Sequence, residues 1–220
     1  MIRLVVFDCD GTLVDSQGLI VKAMSGAFRA RGLEPPEPGL VRAVVGLSLV
    51  EAIGRLLPTA TAAECLDLAD GYRAAWRSLR EVDGVSEPLY PGVRETLAEL
   101  GGRGHLLGVA TGKARRGLDL VLAHHGLREL FVSLQTADRH PSKPHPAMLE
   151  EAMRETGSEP HETLMVGDTS FDVEMAGAAG VRAIGVAWGY HPAEALAHAG
   201  AEVVLEDMGQ LLQIVSEPAR

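Results

Sequence analysis

Two aspartates spaced by one residue, Asp8 and Asp10, stand at the end of the apolar run Leu4-Val-Val-Phe7 and are followed by Gly11-Thr12. An apolar run of this length, rich in β-branched residues, predicts a buried parallel strand. In open α/β sheets ligands bind beyond the carboxyl ends of the strands, so both acids leave the strand where such folds do chemistry. Side-chain alternation puts them on one side and turns Cys9 into the core. Carboxylates a few ångströms apart repel unless a cation or a proton lies between them. A hard divalent metal is the simplest occupant.

A second apolar run, Leu164-Met-Val-Gly167, ends in Asp168, with Asp172 one helical turn further on. Neighbouring strand ends would bring Asp168 to Asp8 and Asp10, and Gly167 lets the backbone come close. Leu106-Leu-Gly-Val-Ala-Thr-Gly-Lys113 reads as a strand entering a helix start. There the Thr111 hydroxyl and the free backbone N–H groups around Gly112 make an anion site. A threonine N-cap accounts for Thr111 equally well, and Lys113 reads as a solvated helix residue. In Ser142-Lys-Pro-His-Pro146 the prolines stiffen the loop and hold Lys143 in one place. His140 and His145 suggest zinc, but no cysteine or further histidine falls at a suitable spacing.

The elements that must position these residues follow from periodicity. Leu19, Ile20, Ala23, Met24, Ala27 and Phe28 give one helical face, and 40–45, 48–57 and 61–82 also read as helices. Strands are expected at 106–110 and near 131–135, 162–166, 181–186 and 202–205. Helices between them are expected at 92–101, 114–125, 146–156, 172–179, 193–198 and 207–215. This alternation predicts an α/β fold with a doubly wound parallel sheet. Almost 100 residues separate the first two strands, where a crossover needs only about a dozen plus loops. Residues 16–88 are therefore expected to form a separate helical unit over the first strand's end. Hinges would lie near Asp15-Ser16 and between Glu87 and Gly92, and 1–15 with 89–220 would form the core. A helical lid over a metal-bearing strand end predicts a site that closes to exclude water.

Composition narrows the partners. The chain has 220 residues, a formal net charge of −10 and two cysteines, Cys9 and Cys65. That charge argues against nucleic acid or an anionic membrane surface as partner. Unspaced cysteines, the absence of a leader and the lack of a membrane-length apolar run predict a cytoplasmic protein. Of 20 basic residues only Lys22, Lys113 and Lys143 are lysine. In so arginine-rich a chain, a lysine that persists is a candidate for a compact point charge.

In order, Asp8-Cys-Asp10-Gly-Thr-Leu, Thr111, Lys143-Pro144 and Gly167-Asp168-Thr-Ser-Phe-Asp172 resemble the motifs of the haloacid dehalogenase-like (HAD) superfamily of phosphotransferases. The resemblance covers nearly the whole length and implies a HAD-like Rossmannoid core. The helical insert is similar to the cap of the phosphoglycolate phosphatase-like and phosphoglucomutase-like branch. The resemblance implies that Asp8 is the nucleophile, forming an aspartyl-phosphate, and that Asp10 is the general acid/base. It also implies Mg²⁺ held by the Asp8 carboxylate, the Asp10 backbone carbonyl and Asp168, with Asp172 in the outer shell. Thr111 and Lys143 would bind the phosphoryl oxygens. Val45-Gly46-Leu47-Ser48 resembles the cap loop of the phosphoglycolate phosphatase branch. Arg42 and the helix bearing Tyr72, Arg73 and Arg77 offer cations for a substrate carboxylate, although solvated arginines are the plainer reading of each.

The expected activity is Mg²⁺-dependent hydrolysis of a small phosphorylated metabolite, phosphoglycolate-like, by a monomer or homodimer. A cysteine phosphatase needs an arginine six residues after its cysteine, where this chain has Asp15 and Gly71. A dehalogenase of the superfamily would lack Asp10, and a phosphonate hydrolase would have a cap lysine where Leu49 stands. A sugar-phosphate mutase, a pyrophosphatase and a non-catalytic binding scaffold stay as alternatives. The scaffold would be expected to have lost an acid.

Overall fold

The computed structural model describes residues 1–83 and 87–216, so 84–86 of the expected helical unit and 217–220 of the expected core lie outside the described residues. Six parallel strands form one sheet: β1 (Leu4–Phe7), β2 (Leu106–Thr111), β3 (Phe131–Thr136), β4 (Thr163–Gly167), β5 (Arg182–Val186) and β6 (Val203–Leu205), in the order β3-β2-β1-β4-β5-β6. The chain builds outward from β1 in one direction and then returns to its other side with β4. That reversal is the switch point at which such sheets leave a crevice. Phe7 is level with Val109 on one neighbour and Val166 on the other, so the ends of β2, β1 and β4 are aligned.

Both faces of the sheet are covered, which is why the central strands β1 and β4 read as nearly continuous apolar runs. Val5 and Phe7 pack with Leu97, Leu118 and Val166 in one buried cluster, while Leu4 and Val6 pack with Met148, Leu149 and Met165 in the other. The helices concerned are α5 (Val93–Gly102), α6 (Arg115–His124), α7 (Ala147–Thr156), α8 (Ser170–Ala178), α9 (Ala193–Ala199) and the short α10 (Leu211–Ile214). Three helical expectations shift. Residues 207–215 resolve into a 3₁₀ turn and one helical turn, α8 starts at Ser170 rather than 172, and the helix expected at 40–45 runs Pro38–Ala43. The second shift has a local cause. The Asp172 carboxylate accepts hydrogen bonds from the Thr169 backbone N–H and hydroxyl, which caps the helix at Thr169.

Between β1 and α5 lie α1 (Gln17–Arg29), α2 (Pro38–Ala43), α3 (Leu49–Leu56) and α4 (Ala62–Asp83). They share a buried cluster of their own, in which Ile20, Met24 and Phe28 of α1 meet Ile53, Cys65 and Leu68. The apolar face expected for α1 is the one that is buried. The chain enters and leaves these helices through adjacent segments. Val14 bridges Leu89 in antiparallel fashion, Asp15 N–H donates to Pro88 O at 2.9 Å, and Tyr90 N–H donates to Leu13 O at 3.0 Å.

Candidate active site

Strand alignment brings the acids together. Asp8 follows β1 and Asp168 follows β4, while Asp172 lies in the first turn of α8. All three are buried, and one carboxylate oxygen from each lies within 4.8 Å of the others. Each acid is held differently. Asp168 accepts from Thr12 Oγ1 at 2.8 Å and from the Tyr190 backbone N–H at 2.9 Å. Asp172 Oδ1 accepts from Lys143 Nζ at 2.6 Å, and its Oδ2 is taken by Thr169. Both Asp8 oxygens are buried without a hydrogen bond among the described residues, although Lys143 Nζ forms an ion pair 3.0 Å from Oδ1.

Glycines make the close approach possible. A Cβ at Gly167 would run into the Asp172 carboxyl, and one at Gly11 or Gly189 into that of Asp168. Gly11 also has φ +90°, a left-handed conformation that glycine adopts without strain.

Burial pushes Asp8 up to about 7, with Lys143 opposing the rise and Asp172 and Asp10 adding to it. Burial, then Asp8, raises Asp168 well above the usual carboxylate range. Burial alone would discharge Lys143, but Asp172 and Asp8 outweigh it and raise its pKa. The protein by itself thus leaves this cluster short of positive charge. An oxygen-only donor set with orphaned carboxylate oxygens fits a hard divalent cation.

Asp10 is arranged separately. Its Oδ1 accepts from Ser16 Oγ at 2.6 Å and pairs with Lys113 Nζ at 2.9 Å. Tyr190 OH lies 3.0 Å from Ser16 Oγ. Burial, then Asp10, raises the Tyr190 phenol, so it stays protonated and can donate to Ser16 while Ser16 donates to Asp10. The Asp10 carboxylate is outside the trio of Asp8, Asp168 and Asp172.

Lys113 corrects the sequence reading. It precedes α6, is largely buried, and pairs with Glu87 Oε1 at 3.1 Å as well as with Asp10. Its ammonium lies 4.6 Å from the Trp76 ring centroid. Burial would discharge it, but Asp10 and Glu87 outweigh that and raise its pKa. Glu87, fully buried where the chain returns from the helices, also pairs with Arg80 at 3.3 Å. Ser16, Glu87, Arg80 and Tyr190 were not singled out for chemistry. The one available signal was Glu87 itself, an acid within the expected hinge.

A cavity of about 410 Å³ lies over Asp8 and Asp10, between the β2 end and the inserted helices. Thr111, Gly112 and Gly46 line it, as do Tyr72, Arg73 and Arg77. Arg42 does not. It lies on α2, which directs Val41 rather than Arg42 into the cavity lining.

The Gly46 loop is seated on the sheet end. Ser48 N–H donates to Ser142 Oγ at 2.8 Å, and Phe171 is buried with Val44, Leu47 and Ala52. A Cβ on Gly112 would lie 2.5 Å from Leu47 O and 2.6 Å from Gly46 O, both backbone atoms. Gly112→Ala should therefore wedge the loop away. About a tenfold loss of kcat/KM is expected, equivalent to roughly 1.4 kcal/mol of lost closure. The melting temperature should move little, because the atoms nearest the methyl are backbone of the Gly46 loop and not the side chains that cover the sheet. Steady-state kinetics beside thermal unfolding check this.

The profile of the haloacid dehalogenase-like hydrolases matches residues 5–186, a span that contains all of these acids. The chain belongs to that family. This HAD-like hydrolase is 38% identical to the "Probable phosphatase IndB" of Dickeya dadantii (strain 3937), over 95% of this chain and 91% of that protein. It is 34% identical to a phosphoglycolate phosphatase of Vibrio vulnificus (strain CMCP6), over 97% and 96%. A crystal structure described as a predicted phosphoglycolate phosphatase from Haemophilus somnus 129pt superposes with a TM-score of 0.86 at 26% identity, covering 98% of each chain. The fold is shared by a predicted phosphatase from Clostridium acetobutylicum, with a TM-score of 0.88 at 24% identity and 98% of each chain covered. The doubly wound α/β fold expected from the alternation of elements is the observed one. Among the described residues of the hydrolase no helix is long and apolar enough to cross a membrane.

Proposed function

We propose that this HAD-like hydrolase is a Mg²⁺-dependent phosphatase that cleaves a phosphate monoester of a small metabolite through a phosphoryl ester on Asp8. The observation that carries the reading is Asp8 itself. It is a buried carboxylate on the cavity wall, both oxygens free of hydrogen bonds, beside a lysine and two further acids. An Asp8 oxygen attacks phosphorus as the ester P–O bond breaks, and Asp10 gives its proton to the departing alkoxide. Asp10 then takes a proton from water as that water attacks phosphorus, which releases phosphate and restores Asp8. Thr111, the backbone at Gly112 and Lys143 bind the phosphoryl oxygens as charge shifts among them.

Asp8, Asp168 and the Asp10 backbone carbonyl are the groups that would hold Mg²⁺. Asp172 would act from behind, because one of its oxygens is already taken by the Lys143 ammonium, whereas Asp168 accepts from neutral donors. Bound there, the ion would neutralise the carboxylates and draw charge from the phosphoryl oxygens. Residues 16–88 form the cap in this reading, and 1–15 with 89–220 the catalytic core. The separate buried cluster of α1–α4 supports that division. A reducing, cytoplasmic setting suits the two free, buried cysteines.

The test is release of inorganic phosphate from a panel of small esters. Turnover is expected with Mg²⁺, to fall at least tenfold in excess chelator, and to return when Mg²⁺ is restored. Undiminished turnover in chelator rules out the metal, and no phosphate from any ester rules out the phosphatase.

A further inference from the structure

The cavity does not match a two-carbon acid. At about 410 Å³ it is within the roughly 300–1,000 Å³ of pockets that enclose whole drug-sized ligands. It would hold on the order of a dozen waters at about 30 Å³ each. Its walls beyond Asp8 and Asp10 are mostly hydrocarbon, with Ile20, Met24, Val41, Val45, Leu49 and Trp76 all contributing. A phosphorylated two-carbon acid would leave those walls wet, where burying them is favourable.

Most cations on the lining are paired with acids or lie at its rim. A carboxylate on the leaving alcohol must lie close to the phosphoryl group, where a free cation would hold it best. Lys113 is held by Asp10 and Glu87, Arg80 pairs with Glu87 but leaves Nη1 without a hydrogen bond among the described residues, and Arg73, beside Asp70, is itself exposed. Arg77 and Arg116 have no ion-pair partner among the described residues, but both are exposed and so belong to the outer rim.

We infer that the natural ester carries an apolar, ring-sized body on its leaving alcohol, packed against Met24, Val45, Leu49 and Trp76. This rests on the phosphatase reading and departs from phosphoglycolate as the preferred substrate. The hydrocarbon walls of the inner cavity select for apolar bulk.

The experiment compares kcat/KM, with Mg²⁺ present, for ethyl phosphate, phosphoglycolate and cyclohexylmethyl phosphate. All three leave as alkoxides of primary alcohols, so differences report the pocket more than the leaving group. The ring ester is expected to exceed both others at least tenfold, the scale on which apolar pockets discriminate. Leu49→Gln, a half-buried site where a polar group of similar size fits, should cut the ratio of ring ester to ethyl phosphate at least threefold. Trp76→Ala should do the same, which guards against misfolding of either variant. Phosphoglycolate equal to or better than the ring ester would overturn the inference and leave the phosphatase standing, as would an unchanged ratio in both variants. No turnover of any ester would remove both.

Discussion

Replacing Asp8 by Asn is expected to lower phosphatase turnover by roughly 10⁴-fold or more, the scale seen when a catalytic nucleophile is removed. An amide oxygen does not attack phosphorus, and the neighbouring acids are held in other roles, Asp10 by Ser16 and Lys113. Asp172 is committed to Lys143 and Thr169, and Asp168 to Thr12 and Tyr190. The same change should raise the stability of the metal-free protein. Asp8 has a folded pKa of about 7, above its ordinary value near 3.8, so the folded chain holds the proton more tightly than the unfolded one. Stability then falls as pH rises through that window, because the unfolded state gives up its proton first. Asn at position 8 removes that loss, and Lys143 keeps its 2.6 Å bond to Asp172. Thermal unfolding in chelator at pH 7.5 should show the variant melting above the parent. Rates near the parental value would exclude Asp8 as nucleophile.

Lys143→Ala should damage both rate and fold. The lysine is essentially without solvent exposure and is the positive charge between Asp8 and Asp172. Removing one partner of a buried charge cluster costs about 3–5 kcal/mol. Losing a preorganised donor to the transferring group costs roughly 10²–10³ in kcat. Mg²⁺ should restore part of the stability by supplying charge, while leaving the rate low. Lys143→Arg should rescue only in part, since a planar fork does not replace a compact ammonium where there is no spare volume. Denaturant unfolding with and without Mg²⁺, beside kcat, separates the two effects. Parental kcat in the alanine variant would exclude the lysine from the chemistry.

The sheet was legible because its strands are short, mostly apolar and followed by a turn, and the site because its acids follow two such strands directly. What the chain did not disclose depends on contacts between distant segments. Lys113 looked like a solvated helix residue because its partners, Asp10 and Glu87, stand far away in sequence. The helix begins only at Arg115, which leaves Lys113 in the loop and turned inward. Arg42 and Arg77 looked alike, since the rotation of a helix against its neighbours is a matter of packing. Of these two helices, α4 carries its arginines to the cavity and α2 does not. Asp172 was readable as an acid near Asp168. Its bonds to Thr169 and Lys143, which leave it no free oxygen, required the capped start of α8.

The adjacent crossings at Val14 and Leu89 have a consequence for how such a chain can change. The polypeptide returns to within a hydrogen bond of its point of departure, with Asp15 N–H on Pro88 O. To the sheet, the whole excursion between them is a loop whose ends are already pinned. Loop-closure entropy grows only logarithmically with length, each doubling costing about 0.6 kcal/mol. The sheet is therefore nearly indifferent to what occupies the excursion. Helices there can lengthen, shrink or be exchanged for others, altering which molecules reach Asp8 while the strands that carry it stay in register.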